Sequence, residues 1–337
     1  MSRFISQAPT LRLLARVYRR MLALSVPAAL AACQGATNAL APDMTGAEGR
    51  PDGAPETAAA PSPGLTAVVG SNRIAFASHT SGGNSDIWTM SPQGGTPTRL
   101  TSFTGQEHSP TWSPDRKRIA FARQRNVILD IYLMNADGTG KRWARSTAST
   151  FPIYRPSWAP NGSHLLVTVY YQGGTYVAKL DLATGNVAFV APAGGFAVKG
   201  DFPVYHPTSS IFYIDDTRRT IKRFTPGGAQ AHILTSTWAL ADLAISPDGT
   251  RLAYASALMD NNWEIYVMDL ATKMITRLTN SAGTDARPTW SPDGTKLAFY
   301  SARSGKAQIW TMNSSTGGSL ARITNQTYGA SAPAWVR

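Results

Sequence analysis

From Arg73 onward the chain repeats itself with a period of roughly 45 residues, and no other feature limits its fold so tightly. The clearest copies are Pro-Thr-Trp-Ser-Pro-Asp-Arg-Lys-Arg-Ile-Ala-Phe at 110–121 and Pro-Thr-Trp-Ser-Pro-Asp-Gly-Thr-Lys-Leu-Ala-Phe at 288–299. About ten residues later each is followed by an apolar run, Asp-Ile-Tyr-Leu-Met at 130–134 or Gln-Ile-Trp-Thr-Met at 308–312. A closing segment completes the unit, as in Thr-Arg-Leu-Thr at 98–101 and 276–279 or Ala-Arg-Ile-Thr at 321–324. The anchor before the Ser-Pro element is Trp112, Trp158, Tyr205, Ile245, Trp290 and Trp335, at steps of 46, 47, 40, 45 and 45. Six anchors predict six units.

Within a unit, alternating apolar residues bounded by turn chemistry mark four short strands. Ser-Pro-Asp-Gly at 246–249 and 291–294, and Ala-Pro-Asn-Gly at 159–162, suit the first hairpin, because proline presets φ and glycine accepts a positive φ. Asn-Ala-Asp-Gly at 135–138 does the same between the third and fourth strands. Four-stranded repeats of this length are blades of a β-propeller, whereas a parallel β-helix needs a shorter period. The fold class is therefore all-β: a six-bladed propeller with four antiparallel strands per blade. A charged fraction of 15%, with 29 glycines and 22 prolines, agrees with many short strands joined by turns. The first unit starts at Arg73-Ile-Ala-Phe76 without an anchor strand, and residues 332–337 are an anchor strand with nothing after it. The two fragments are expected to complete one blade, so that the C-terminal strand closes the ring.

Ahead of the repeats, Arg16, Arg19 and Arg20 precede the apolar run 21–32, too short to cross a hydrocarbon core as a helix but suited to a secretory signal. The run closes as Leu30-Ala31-Ala32-Cys33, which resembles the lipobox of bacterial lipoproteins, and Cys33 is the sole cysteine. The expected organisation is a signal peptide over 1–32, a lipidated Cys33 with a tether over 33–64, and the propeller over 65–337. The tether is rich in Ala, Pro, Gly and Thr and cannot bury enough apolar surface to offset its ordering entropy. An acylated cysteine implies membrane attachment through lipid alone. Gln34, rather than aspartate, follows the cysteine, which points to the outer membrane and a periplasm-facing propeller. With a single cysteine no intrachain disulfide forms. Of the formal charge of +12, five arginines belong to the leader and the tether is net acidic by three, which leaves the propeller at +10. Such an excess favours acidic partners or anionic surfaces; an exported chain does not meet nucleic acid.

The Trp-Ser-Pro-Asp-Gly turn, Leu-Ala-Phe, Ile-Tyr-X-Met and Arg-Leu-Thr together resemble the propeller repeats of the TolB family over residues 73–337. The fourth unit, 202–235, departs from the pattern with His206-Pro-Thr-Ser-Ser in place of the turn. The family's α/β domain ahead of the propeller has no counterpart in the tether, which puts a role in the Tol assembly in doubt. The resemblance implies that the loop-rich end of the ring receives a partner's segment, a protein or peptide of the envelope and acidic if the charge balance is a guide. The short turns after the first and third strands lie at one end, and the longer irregular connections lie at the other, where function is expected to sit. Just before the anchor strands stand Glu107, His108, Tyr154, Arg155, Asp201, Asp242, Asp285 and Arg287, expected to ring the mouth of the central channel. Arg155, with its planar fork, is the expected carboxylate receiver.

An enzyme reading finds less support. There is no Gly-X-Ser-X-Gly elbow. A metal-dependent lyase acting on acidic glycans, or a glycan-binding protein, is the alternative. Only His79 and His108 reach toward the mouth, with Glu107 as a third donor, and no metal-ligand spacing supports them. No cofactor, no metal and no catalytic residue is expected, and the chain is expected to be monomeric.

Overall fold

The computed structural model describes residues 72–125, 128–145, 151–257 and 262–336. The expected signal peptide, Cys33 and the tether lie outside the described residues. Among those residues every regular element is a strand, and the strands form six four-stranded antiparallel sheets. Five blades follow chain order from the inner strand outward, over 107–143, 153–189, 201–235, 240–277 and 285–322. The remaining blade, counted here as the first, takes its inner strand from the other end of the chain. Ala330–Trp335 pairs antiparallel with Ile74–His79, Trp335 opposite Ile74 and Ala330 opposite Ser78. That inner strand also packs against Glu107–Trp112 on one side and Asp285–Trp290 on the other, so the ring closes through it.

Each blade is packed on both faces by its neighbours, which is why its second strand does not alternate between apolar and polar residues. Ile74, Ala75, Phe76 and Ala77 are all buried, as are Leu297, Ala298 and Phe299 in the last blade. The six anchors are all buried. Three indoles tie a blade to the one before it. Trp112 Nε1 donates to the Ala334 carbonyl at 3.1 Å, Trp158 Nε1 to Thr111 at 3.0 Å and Trp290 Nε1 to Ala244 at 2.9 Å. A buried indole keeps its donor satisfied while its rings fill the seam between sheets. Arg118 and Arg251 lie over Trp158 and Trp290, with the guanidinium carbon 4.9 and 4.6 Å from the ring centroids.

The turn motif is held by its own side chains. Ser246 Oγ donates to Asp248 at 2.5 Å and accepts from the Arg251 amide at 2.9 Å, while Gly249 sits at φ 74. The same contacts recur at Ser113 and Ser291, with Arg116 at φ 62 standing where other copies have glycine. The closing threonine is equally structural. Thr101, Thr279 and Thr324 each accept from the amide of the isoleucine in the third strand, Ile87, Ile265 and Ile309, at 2.8–2.9 Å. Each also donates to a buried acid or amide, Glu107 at 2.9 Å, Glu264 at 2.5 Å and Gln308 at 2.7 Å.

Candidate functional site

All six inner strands break register at the same place, and this break shapes the channel. The residues at the break are Ser109, Arg155, Phe202, Asp242, Arg287 and Ala332, all left-handed with φ between 50 and 56. In five of them a proline follows: Pro110, Pro156, Pro203, Pro288 and Pro333. A bulge re-aims the side chain it carries. For a residue other than glycine such a conformation costs about 1–3 kcal/mol and tends to mark functional positions.

Two cavities meet along the axis. The larger, about 870 Å³, opens among the long connections as a funnel. The smaller, about 420 Å³, is a vestibule at the Ser-Pro turn end, walled by prolines and by Trp112, Trp158, Tyr205 and Trp335. Ser109, Arg155, Phe202, Asp242 and Arg287 line both, so the bulge residues form the waist between them. The funnel wall above the waist is aromatic and polar, with Tyr154, Tyr170, Trp263, Tyr300 and Tyr328 beside His79, His108, Arg218 and Lys306.

Five of the eight expected mouth residues, His108, Tyr154, Arg155, Asp242 and Arg287, line the funnel. Glu107, Asp201 and Asp285 do not; all three are buried behind the wall. Glu107 and Asp285 stand two residues before a bulge, where the other blades carry Ile153, Gly200, Leu240 and Ala330, and that position faces the packing between blades. Aligning the units on the bulge would have identified it as interior. Burial, reinforced by the nearby Asp86 carboxylate, pushes the Glu107 carboxyl up to about 8 against the pull of Thr101 and Arg123. Asp285 accepts from Arg303 Nη2 at 2.6 Å and from Ser281 Oγ at 3.1 Å.

Asp201 organises one side of the waist from behind. Its carboxylate accepts from Arg155 Nη1 at 2.7 Å to each oxygen, from Arg218 Nη2 at 3.1 Å, from Thr168 Oγ1 at 2.9 Å and from the Phe202 amide at 2.8 Å. Arg155 lies over the Phe202 ring, 3.7 Å from its centroid. Burial is the largest single influence and would depress its pKa, but the charge and hydrogen bonds of Asp201 together with Tyr154 and Asp242 outweigh it, and the net shift is upward. The expected carboxylate receiver is thus already engaged by a carboxylate of its own chain. Arg218, on the hairpin between the second and third strands of its blade, was not anticipated, because only the folded ring brings that hairpin beside Asp201.

Arg287, in the equivalent place in the last blade, differs. Its backbone amide donates to Asp242 Oδ2 at 3.3 Å, yet among the described residues its guanidinium has no ion pair and no hydrogen bond. Burial lowers its pKa first, Asp242 opposes that, and the charge of Arg155 adds to the lowering. The guanidinium still stays protonated throughout the physiological range. Burial, then Arg287 and His79, push His108 down to about 3, so it is an uncharged imidazole; burial also lowers His79. Burial raises the Tyr154 and Tyr300 hydroxyls, which remain protonated donors. With Glu107 turned away, neither histidine pairs with a carboxylate among the described residues, and no group of three metal-ligating side chains occurs there.

Comparison with known proteins agrees with this architecture. The family model of the TolB beta propeller domain matches residues 60–225 and 229–337. A curated relative, the uncharacterised protein Atu1656 of Agrobacterium fabrum, is 30% identical over 185 residues, covering 52% of this chain and 59% of its own length. The chain therefore spans less than two thirds of that relative. Among solved structures, TolB from Acinetobacter baumannii superposes with a TM-score of 0.69 at 21% identity, covering 81% of this chain and 69% of that one. An oligogalacturonate lyase in complex with manganese superposes with a TM-score of 0.51 at 15% identity, covering 75% and 74%, which is a likeness of fold. By the extent of the family match, on six blades that the structure resolves strand by strand, the chain belongs to the TolB β-propeller family.

Proposed function

We propose that this protein is a non-catalytic capture module of the bacterial cell envelope, which takes a segment of a partner protein into the funnel. The observation that carries the reading is the funnel wall. It combines tyrosine and tryptophan faces with hydroxyls, cations and one aspartate around about 870 Å³, a size suited to a short segment rather than a folded domain. Aromatic side chains with a polar tip provide contact area at small entropic cost, and mixed polar groups fix a main chain running between them. The proposal includes the leader over 1–32, lipidation at Cys33, a tether to residue 64 and attachment to the outer membrane facing the periplasm. A tether of about 30 residues holds the funnel roughly 30 Å from the lipid, within reach of neighbouring envelope proteins.

The alternative, binding or metal-dependent cleavage of an acidic glycan, is supported by the basic balance of the chain and by little else in the funnel. The experiment is capture from detergent-solubilised envelopes by the full chain and by Ser331→Trp, which places an indole in the funnel. Discrete proteins retained by the native chain and lost with Ser331→Trp support the proposal. Retention of polygalacturonate instead, with manganese-dependent cleavage, replaces it by the lyase reading.

A further inference from the structure

Two arginines occupy the bulge position at the waist, and they are not equivalent. Arg155 is committed to Asp201, which also holds Arg218. Arg287 has no carboxylate of its own: Asp242 reaches its backbone amide, not its guanidinium, and its charge acts on both arginines. A cation drawn from bulk water into a narrow channel is costly unless an anion compensates it. Of the groups that line the waist or pair with its arginines, Arg155, Arg218 and Arg287 stand against Asp201 and Asp242, one positive charge in excess.

Arg287 sits at φ 56 immediately before Pro288, a conformation that glycine adopts without penalty. The same bulge carries the small side chains of Ser109 and Ala332 in two other blades, so its backbone does not itself call for an arginine. The neighbours suit an anion as well. Tyr300, whose hydroxyl has no hydrogen-bond partner among the described residues, lines the same wall and senses the Arg287 charge. His108 beside them is uncharged, so it neither neutralises an incoming anion nor competes for it.

We infer that Arg287 is an anion receiver at the waist that takes one carboxylate of the captured segment, with the Tyr300 hydroxyl as a second donor. This rests on the capture reading above and adds the chemistry of what is captured: a segment that presents a carboxylate at the depth of the waist. The planar fork of arginine matches a carboxylate with two parallel N–H donors, which lysine does not reproduce. The carboxylate comes either from a chain terminus or from an aspartate or glutamate side chain, and the two sources are separable by probe.

The test uses the full chain labelled with ¹⁵N in arginine, its Nε–H signal for Arg287 identified by its loss in Arg287→Lys. The probes are N-acetylglycine, which mimics a chain terminus, N-acetylaspartate α-amide, which mimics a side chain, neutral N-acetylglycinamide, and inorganic phosphate, all at constant ionic strength. The expected result is a saturable shift of the Arg287 signal with one or both carboxylates and none with the amide. Arg287→Met, followed at the Arg155 signal, should bind the carboxylate at least tenfold more weakly. No saturable change at Arg287, an equal response to the amide, or tighter binding of phosphate than of either carboxylate overturns the inference, whether or not the variants fold. Should envelope proteins still be captured by the native chain in that case, the capture reading stands and only the carboxylate assignment falls.

Discussion

Replacing Asp201 by asparagine should weaken the fold more than its conservative size suggests. The carboxylate accepts from two arginines, a threonine and a backbone amide, and it is 1% exposed. Asparagine keeps the shape but turns an NH₂ donor toward at least one guanidinium and leaves a buried cation pair without its anion. Breaking one partner of a fully buried pair costs about 3–5 kcal/mol. Here the side chains of Arg155 and Arg218 are 24% and 33% exposed, so both can be partly rehydrated through the funnel. The expected loss is therefore about 2–3 kcal/mol, which for a domain of this size lowers the melting temperature by roughly 4–5 °C. Urea unfolding provides the assay, with a lower midpoint at an unchanged slope. Asp242→Asn is the internal control, since among the described residues Asp242 accepts only the Arg287 amide, at 3.3 Å, and the change should cost under about 1 kcal/mol. A loss below about 0.5 kcal/mol for Asp201→Asn, or equal losses for the two variants, refutes the reasoning.

Three further outcomes are expected. Removing residues 330–337 takes away the inner strand of the first blade and exposes Ile74–His79 as an edge, so the truncated chain should lose its cooperative melt and self-associate in sedimentation. Glu107 keeps its proton in the fold up to about pH 8 but releases it in the unfolded chain near its ordinary 4.5, so its contribution is complete below 4.5 and is lost as pH rises toward 8. Glu107→Gln should accordingly be at least about 1 kcal/mol more stable than the native chain at pH 8 and lose that advantage at pH 4, as read by urea midpoints across the range. Gly317→Ala should destabilise by about 1–3 kcal/mol, because φ is 70 and a Cβ there meets the Leu278 carbonyl oxygen at 2.3 Å.

The ring was legible because its determinants are local and repeated. Trp112, Trp158 and Trp290 recur in one frame with the Ser-Pro turn, and the orphan strands at 74–79 and 330–335 indicate how the first blade is completed. The bulge was not read, although Pro110, Pro156, Pro203, Pro288 and Pro333 mark its frame, because it is a backbone conformation rather than a composition. Distance along the chain placed Glu107 and Asp285 at the mouth; side-chain direction within the inner strand places them in the seams. Asp201 was chosen for its charge, and that charge is spent on Arg155 and Arg218. Arg218 and Tyr300 join the wall from hairpins far apart in sequence, and only closure of the ring sets them around one axis.

Capture at the funnel is tested most directly by a photo-reactive amino acid placed, in living cells, at Tyr300 in the funnel, at Pro160 in the opposite vestibule and at Met274, which is 72% exposed just before an outer strand. Irradiation should join a defined partner to the chain from Tyr300 and leave the other two positions bare. Equal adducts at all three, or adducts from Pro160 or Met274 alone, would place recognition elsewhere on the propeller and contradict the account.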